Sequence, residues 1–443
     1  MLVTGADHLV RAYELLLLVQ PTETPTTQSW WALRCCVLRQ RVLANPSATL
    51  ASHVQRLAPS LEGQPCAALC IELALAHQLY GRIADAARCL ARAEMLSNVA
   101  LQVDGAMGVR TVHQQEAKAQ LVVRVARSAE EDVCSVPVSD LDDHQSDDEP
   151  GTQVHVVKGL VNPHPSCLLD VLPLPIMSDH TAPHSSLPPL LQALLLTHAK
   201  QIERGTAADE LRSWQMAPYV EAVLSQPRTS PCVLYAARLL RAQHERARSR
   251  TRARALLAYE RLLTMLRRPA PPPVARLPLA LATPFPLHAR LRREAADEMV
   301  SCGMVGDALS EYEALQEWDA LVACYRLLGK VQAAEALVMQ RLEVEPQRAS
   351  LWCTLGDLHN DDAMYERALE VSSNRSVRAL RALARSAMGR SDWTQASSRW
   401  TAALSINPLH EQGWFALGYC CLKQQEPQRA LQAFTRYVVG VSL

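Results

Sequence analysis

Aromatic residues are scarce in this chain of 443 residues, since phenylalanine, tryptophan and tyrosine together make up only 5% of it. Hydrophobic residues nevertheless account for 49%, so a large buried surface can form from alanine and leucine. Helical hairpins fit that profile. The formal net charge is zero, which argues against a protein that binds nucleic acid or membrane surfaces along its whole length.

Long hydrophobic runs are also missing. No run approaches the ~18 apolar residues that a membrane-spanning helix requires. The short apolar stretch from Leu15 to Val19 follows Glu14 and lacks the basic segment of a secretory signal. We therefore expect a soluble, intracellular protein without a membrane partner.

The 13 cysteines form neither a disulfide framework nor a metal-binding pattern. No C-x-x-C pair occurs, and Cys66 and Cys70 have helical spacing without a neighbouring histidine. Cys35 and Cys36 are adjacent within a helical pattern. We expect most of these residues to be small, buried and apolar in a reducing compartment, with no metal and no cofactor.

Catalytic motifs are absent from the sequence as well. It contains no H-E-x-x-H pair, no glycine-rich phosphate loop and no G-x-S-x-G elbow. His164, His180 and His184 lack ligand spacing to any cysteine pair and are interpreted as exposed loop residues. The sequence predicts a protein that is not an enzyme and has no small-molecule substrate.

A period of 34 residues dominates the C-terminal part of the chain: Trp318 recurs as Trp352, and Ala396 as Ala430. Such a period, with fixed offsets for Trp, Leu, Gly, Ala and Pro, is typical of the tetratricopeptide helix–turn–helix repeat. The predicted fold is all-α, a right-handed α-α superhelix of these repeats preceded by an irregular region of helical hairpins. The residues assigned to repeat packing are Trp318, Leu321, Tyr325, Ala334, Trp352, Leu355, Gly356, Ala368, Leu383, Ala396, Trp400, Pro408, Trp414, Leu417, Gly418, Ala430 and Phe434.

The spacing inside one unit explains why it should form a hairpin. Leu380, Leu383 and Ala387 lie on one stripe of a helix, and the small residues Ala384 and Ala396 let two helices approach closely. A generic amphipathic hairpin is the alternative, but it gives no reason for a fixed period. One unit is shortened, because its packing alanine precedes the next by 28 residues instead of 34.

Composition divides the chain into four segments: an N-terminal helical region at 1–128, an acidic and Pro/His-bearing disordered loop at 129–189, helical hairpins with a Pro-rich spacer at 190–286, and about five repeats at 287–443. Helices are predicted from about Met107 to Ser128 and from Pro231 to Arg268. Gly81 and Ala86 suggest a repeat-like hairpin near residue 80. The last helix lacks a polar cap, so we expect a natural protein that continues.

The acidic loop contains one candidate modification site. Ser146 precedes two aspartates and a glutamate, a pattern that resembles the site of an acidophilic kinase. Phosphate there would add negative charge that a basic pocket on a partner could bind. The alternative is a plain acidic loop that remains solvated.

A partner-binding groove is predicted along the first helices of the repeats. Arg378, Arg381 and Arg385 share one helix face, distinct from the apolar stripe, and could bind an acidic peptide or a C-terminal carboxylate. Phe415 and Tyr419 hold the corresponding positions one unit later and could form an apolar wall. An ordinary solvated basic face is the alternative.

A second basic stretch suggests a different function. Six arginines could form a basic helix face that contacts RNA. No aromatic residues interleave with them and neighbouring leucines indicate a packed face, so nucleic acid is the less favoured partner. These residues are Arg241, Arg246, Arg248, Arg250, Arg252 and Arg254.

Several stretches resemble tetratricopeptide repeat protein 27, a eukaryotic family. They are Met216-Ala-Pro-Tyr219, Gly306-Asp-Ala308, Trp318-Asp-x-Leu-Val-Ala-Cys324-Tyr325, and Trp414-Phe-x-Leu-Gly418. The resemblance is strong from about Leu190 to the end and looser in the N-terminal helices. It implies a non-enzymatic helical protein of the cytoplasm and the nucleus, whose fungal relatives are linked to cell-wall integrity and whose animal relatives are linked to chaperone-assisted assembly. We therefore expect a scaffold or adaptor, like a co-chaperone, that holds protein partners during assembly.

Some tetratricopeptide proteins grip chaperone tails with a clamp of lysine and asparagine side chains. The corresponding positions here are Asp319, Ala323, Cys353 and Asp357, none of which is lysine or asparagine. We therefore do not expect that clamp in this chain.

Overall fold

The computed structural model describes residues 6–18, 25–43, 45–108, 118–127, 186–207, 210–249 and 251–441. The chain separates into two compact units, Met1–Met304 and Val305–Leu443. Most of the acidic loop at 129–189 lies outside the described residues, together with Ser146, His164, His180 and His184. Within the described ranges, no helix is long and apolar enough to span a membrane.

The first unit begins with five helices: α1 (Ala6–Leu18), α2 (Pro25–Val42), α3 (Ala48–Glu62), α4 (Ala67–Leu79) and α5 (Ile83–Leu96). Helix α3 was not predicted, although Ser47 caps its start. The hairpin expected near residue 80 is present, since Gly81 has a φ of 72° between α4 and α5. Ala86 is fully buried, as a small packing residue should be.

A buried carboxylate joins α2 to α4. Glu72 accepts hydrogen bonds from Trp30 Nε1 at 2.7 Å and from two nitrogens of Arg34 at 2.8 and 2.7 Å. The guanidinium of Arg34 also stacks on the Trp30 ring. Because the buried charge is paired and hydrogen-bonded, removing either partner would strongly destabilise this part of the unit.

The helix predicted from Met107 to Ser128 is wrong. The described residues of that stretch belong to two antiparallel strands, β1 (Val99–Gly108) and β2 (Lys118–Arg127), in which Val103 faces Val123. β1 packs against α5, and Val99 and Val123 are buried. The segment forms strands instead of a helix because β-branched valines lose side-chain freedom in a helix and pack well on the pleated surface of a sheet.

The rest of the first unit contains α6 (Pro189–Gly205), α7 (Glu210–Leu224), α8 (Pro231–Glu245), α9 (Arg252–Arg267), α10 (Pro273–Arg276) and α11 (His288–Ser301). The single helix predicted from Pro231 to Arg268 is therefore two helices. The Thr251 hydroxyl donates a hydrogen bond to the Glu245 carbonyl at 2.6 Å. This bond satisfies the C-terminal end of α8 and helps to fix the break.

The second unit consists of tandem helices, with each hairpin packed on the next. They are α12 (Val305–Leu315), α13 (Trp318–Leu327), α14 (Val331–Val344), α15 (Ala349–His359), α16 (Asp362–Val371), α17 (Val377–Gly389), α18 (Trp393–Ile406), α19 (Glu411–Lys423) and α20 (Pro427–Val441). Helix α16 has only 10 residues, whereas α14 and α18 have 14 each. The shortened unit predicted from the 28-residue spacing is thus present.

Trp318, Trp352 and Trp414 occupy equivalent places in the hairpins α13–α14, α15–α16 and α19–α20, whereas α17 of the intervening hairpin has no tryptophan. Trp352 Nε1 donates to the Pro346 carbonyl at 3.0 Å, and Trp414 Nε1 donates to the Pro408 carbonyl at 2.7 Å. In three hairpins, an arginine of the second helix lies over the tryptophan ring. These pairs are Arg341 with Trp318, Arg367 with Trp352, and Arg436 with Trp414.

Two glycines let the helices of a hairpin approach closely. A Cβ atom on Gly356 would lie 2.9 Å from the Tyr365 ring, and one on Gly418 would lie 2.8 Å from the Phe434 ring. Real Cβ atoms do not tolerate such contacts, so only glycine fits there. Buried residues complete the repeat cores: Leu321, Ala334, Leu355, Ala368, Leu383, Ala396, Trp400, Leu417 and Ala430.

Candidate partner-binding groove

The predicted groove residues Arg378, Arg381 and Arg385 all lie on α17. Arg378 and Arg385 are exposed and Arg381 is half-buried, whereas Leu380 and Leu383 are buried against the neighbouring helices. The arginines therefore occupy a different face from the apolar stripe. The Ser376 hydroxyl caps the start of α17 by accepting a hydrogen bond from a backbone amide of the first turn.

Arg378 is already paired within the chain. It donates a hydrogen bond to one carboxylate oxygen of Asp357 at 2.5 Å, and the Tyr365 hydroxyl donates to the other at 2.5 Å. Burial alone would raise the pKa of Asp357, but these two hydrogen bonds outweigh it and lower that pKa. Burial and the Asp357 carboxylate raise the pKa of Tyr365. Much of the charge of Arg378 is therefore neutralised before any partner arrives.

Arg381 and Arg385 have no acidic partner among the described residues. The Nε atom of Arg381 is buried and has no hydrogen-bond acceptor there. Burial lowers the pKa of Arg381, and the neighbouring charge of Arg385 lowers it further. The two guanidiniums therefore form a cationic pair, which we call the α17 cationic pair.

His410 lies beside this pair, a position that sequence analysis did not identify. Its Nδ1 atom accepts a hydrogen bond from the Gly413 amide at 2.8 Å, which caps α19. Its ring stacks on Trp400, with 6.3 Å between the ring centroids. Burial lowers the pKa of His410, and the charges of Arg381 and Arg385 lower it further. The histidine is kept neutral by its surroundings, so it adds a polar ring rather than a competing charge.

Phe415 and Tyr419 are partly exposed on α19, at 51% and 39%. The Phe415 ring packs on Phe434 of α20, and the Tyr419 ring meets Trp393 edge-on at 5.8 Å. The Lys423 ammonium also lies over the Tyr419 ring, 5.5 Å from its centroid. No described contact joins either ring to the α17 arginines, so the structure brings the cationic pair to His410 instead.

The four residues at the positions of the lysine–asparagine clamp are not available to hold a partner's carboxylate. Asp319 pairs with Arg348 at 3.0 Å, and Asp357 pairs with Arg378. Cys353 is fully buried. Arg348 and Arg378 are thus each matched by a carboxylate, whereas the α17 cationic pair has none among the described residues.

The arginine-rich stretch at 241–254 does not form a continuous basic face. The side chain of Glu245 is only 8% exposed and accepts hydrogen bonds from Arg241 Nε at 2.9 Å and Arg254 Nε at 2.8 Å. Arg252 Nε lies 3.6 Å from the Glu298 carboxylate. Arg246 and Arg248 lie in the turn between α8 and α9, and Arg250 is outside the described residues.

Comparison with known proteins agrees with the repeat geometry. A family model described as a tetratricopeptide repeat matches residues 381–441. The tetratricopeptide repeat protein 27 homolog of Dictyostelium discoideum is 28% identical over 354 residues, covering 80% of this chain and 40% of that protein. A TPR repeat-containing protein of Schizosaccharomyces pombe is 28% identical over 455 residues, covering 92% of this chain and 54% of that protein.

A third relative matches a smaller part of the chain. The Saccharomyces cerevisiae protein named Essential for maintenance of the cell wall protein 1 is 27% identical over 171 residues, covering 37% of this chain and 19% of that protein. The chain spans about half the length of the first two curated relatives. The repeat architecture and these similarities confirm the resemblance seen in the sequence: the chain contains tetratricopeptide repeats and is similar to tetratricopeptide repeat protein 27.

Proposed function

We propose that the chain is a protein-interaction scaffold and that the α17 cationic pair binds an acidic segment of a partner. The observation that carries this proposal is the unmatched charge of Arg381 and Arg385. Arg378, Arg348 and Arg390 pair with Asp357, Asp319 and Asp362 respectively. An array that neutralises these cations but leaves two adjacent ones without a carboxylate favours a negatively charged ligand at that point.

The cost of the unmatched pair supports the same conclusion. A buried donor without an acceptor costs roughly 1–3 kcal/mol, and Arg381 Nε is such a donor. The repulsion between the two guanidiniums adds to that cost. A carboxylate from a partner would accept hydrogen bonds from both side chains, and charge-assisted bonds of this kind are roughly twice as strong as neutral ones.

The charges and the aromatic surface of the site define the chemical class of the partner. The ligand is a peptide segment with closely spaced aspartates or glutamates, or one that ends in a free carboxylate near an apolar side chain. Tyr419 and Phe415 supply exposed aromatic surface on the next repeat for that side chain. We further propose a cytoplasmic and nuclear location and a role in holding partners while complexes assemble, which fractionation and co-purification from native extract would test.

The test is a titration of a short labelled acidic peptide, followed by fluorescence anisotropy. The double variant Arg381→Glu/Arg385→Glu should weaken binding by roughly 10–100-fold, since charged hydrogen bonds contribute about 1.5–3 kcal/mol. Arg378 is left unchanged, because a glutamate there would face Asp357 and disturb the hairpin. A peptide with amides in place of the side-chain carboxylates, and one with an amidated C-terminus, identify which carboxylate binds.

A matched control changes the net charge equally at another place. Lys330→Glu/Arg399→Glu lies at the start of α14 and on α18, the second helices of their hairpins, and neither side chain pairs with a carboxylate among the described residues. It should bind the peptide nearly as well as the unaltered chain. Equal weakening by both double variants would mean that overall charge, rather than the α17 pair, holds the peptide, and it would refute the proposal.

RNA binding, the alternative raised by the arginines at 241–254, is not put forward as a second function. Three of those guanidiniums are paired with the buried carboxylates of Glu245 and Glu298. The stretch is also divided between the end of α8, a turn and the start of α9. A phosphate backbone would have to compete with those carboxylates for the same nitrogens.

A further inference from the structure

Three helices of the first unit bring metal-binding side chains together at one point. Glu62 is the last residue of α3, His77 lies in the last turn of α4, and Cys89 lies in the middle of α5. One ligand atom from each residue lies within 4.8 Å of the other two. This cluster is distant in sequence from the tetratricopeptide groove and plays no part in the function proposed above.

The histidine is the unusual member of the cluster. His77 is only 2% exposed, yet neither ring nitrogen has a hydrogen-bond partner in the part of the chain that the structure describes. Nearly all buried polar groups in proteins are paired, and a buried group left unpaired costs roughly 1–3 kcal/mol. The ring therefore requires a partner.

The surroundings favour a cation as that partner. Both α3 and α4 end at the cluster, and the C-terminal end of a helix carries a partial negative charge. Glu62 adds a carboxylate at a helix end where a carboxylate is unfavourable by itself. A bound cation would be attracted both to the negative ends of the two helices and to the Glu62 carboxylate, so their mutual repulsion would be relieved.

We propose that Glu62, His77 and Cys89 form a metal site of this protein, with zinc as the preferred ion. Thiolate, imidazole and carboxylate are the three side-chain ligands of Zn²⁺ in proteins, and three protein ligands leave a fourth position for water. Binding would displace the proton of the Cys89 thiol, because a coordinating thiol is deprotonated. Calcium and magnesium prefer sets made of oxygen only, which this cluster does not offer.

The site would act as a cross-link between helices. An ion held by α3, α4 and α5 binds the folded unit and not the unfolded chain, so it stabilises the fold by mass action. Such a link would fix the end of α3, which Arg92 of α5 already holds by a hydrogen bond to the Gly63 carbonyl at 3.0 Å. The role inferred is that of a cross-link between the three helices, and no reaction is assigned to the ion.

Cobalt(II) titration of the full chain under reducing conditions tests this site, because a cobalt–thiolate bond gives a charge-transfer absorption band. We expect that band on addition of cobalt, its loss on addition of zinc, and a higher unfolding temperature with zinc than with a chelator. Cys89→Ala should remove the band, and His77→Leu should weaken metal binding by at least roughly 100-fold, since even second-shell changes cost 10–100-fold.

Controls separate metal binding from folding and from the other thiols. His77→Leu removes two unpaired nitrogens and fills the same space with an apolar side chain. The metal-free variant should therefore remain folded, as measured by circular dichroism. Cys36→Ala removes another fully buried thiol of the same unit and should retain the cobalt band. A wild-type chain that gives no thiolate band, a band that persists in Cys89→Ala, or an unchanged cobalt affinity in His77→Leu would each overturn the proposal.

Discussion

At the scale of single residues, the repeats depend on a few close contacts that tolerate no added atom. Gly356 lies against the ring of Tyr365, while Gly389, at the end of α17, has nothing within 4 Å of the place its Cβ would occupy. Both glycines are helical, so they differ mainly in the space around them. Substituting each of these two glycines by alanine therefore measures how much stability depends on the close approach of the helices at Gly356.

Gly356→Ala should destabilise the second unit by about 1–3 kcal/mol, because the new methyl group overlaps the Tyr365 ring. Gly389→Ala should be neutral or stabilising by less than about 1 kcal/mol, since alanine has the higher helix propensity. Chemical denaturation followed by circular dichroism measures both values. Equal free energies of unfolding for the two variants would contradict the packing described here.

Asp357 gives a prediction for pH. Its folded pKa is lowered, because the hydrogen bonds from Tyr365 and Arg378 outweigh the burial that opposes them. The stability from this group should therefore be complete above its unfolded pKa of about 3.9 and should be lost as pH falls through the lower folded value. Asp357→Asn should unfold more readily than the unaltered chain at neutral pH, and the difference should shrink below about pH 4.

Tyr365→Phe provides the comparison for that measurement. It removes one of the two donors to Asp357 and leaves Arg378 in place. An intermediate loss of stability at neutral pH is expected, read from unfolding curves over a series of buffers. A difference between Asp357→Asn and the unaltered chain that stays constant down to acid pH would show that the carboxylate contributes nothing through its charge.

At the scale of helices and strands, the sequence predicted α13 to α20 well, because each offset in a 34-residue period is a packing constraint. The same reasoning failed for β1 and β2, where a valine-rich stretch was interpreted as a helix. It also failed at the break between α8 and α9, since that break depends on contacts to Glu245 that only the folded chain reveals.

The candidate site was predicted in part for a similar reason. The face of α17 followed from spacing, but the pairing of Arg378 with Asp357 depends on how successive repeats align. His410 was missed because a capping histidine has no distinctive pattern. The cluster of Glu62, His77 and Cys89 was missed because its members come from three helices with no common spacing.

Helix pairing itself can be tested by overpacking. Ala396 of α18 is fully buried, so Ala396→Trp should cost on the order of 1–3 kcal/mol. Ser398 is exposed on the same helix, and Ser398→Trp should change the melting temperature little. A melting temperature that is lowered equally, or not at all, by the two substitutions would contradict the assigned register.

At the scale of the whole molecule, the two units carry different features. The second unit carries the α17 cationic pair, and the first unit contains the proposed metal cluster. Binding a partner through the second unit should not require the metal. Peptide affinity should therefore be the same in zinc and in chelator, as long as circular dichroism shows that the chain remains folded.

The central claim is that partners bind along the first helices of the repeats, and site-specific photo-crosslinking tests it most directly. A photoreactive amino acid in place of Tyr419, exposed on α19, should become covalently linked to the labelled acidic peptide. The same group in place of Val344, exposed on the second helix α14, should give no adduct. Crosslinking at 344 but not at 419 would contradict the account.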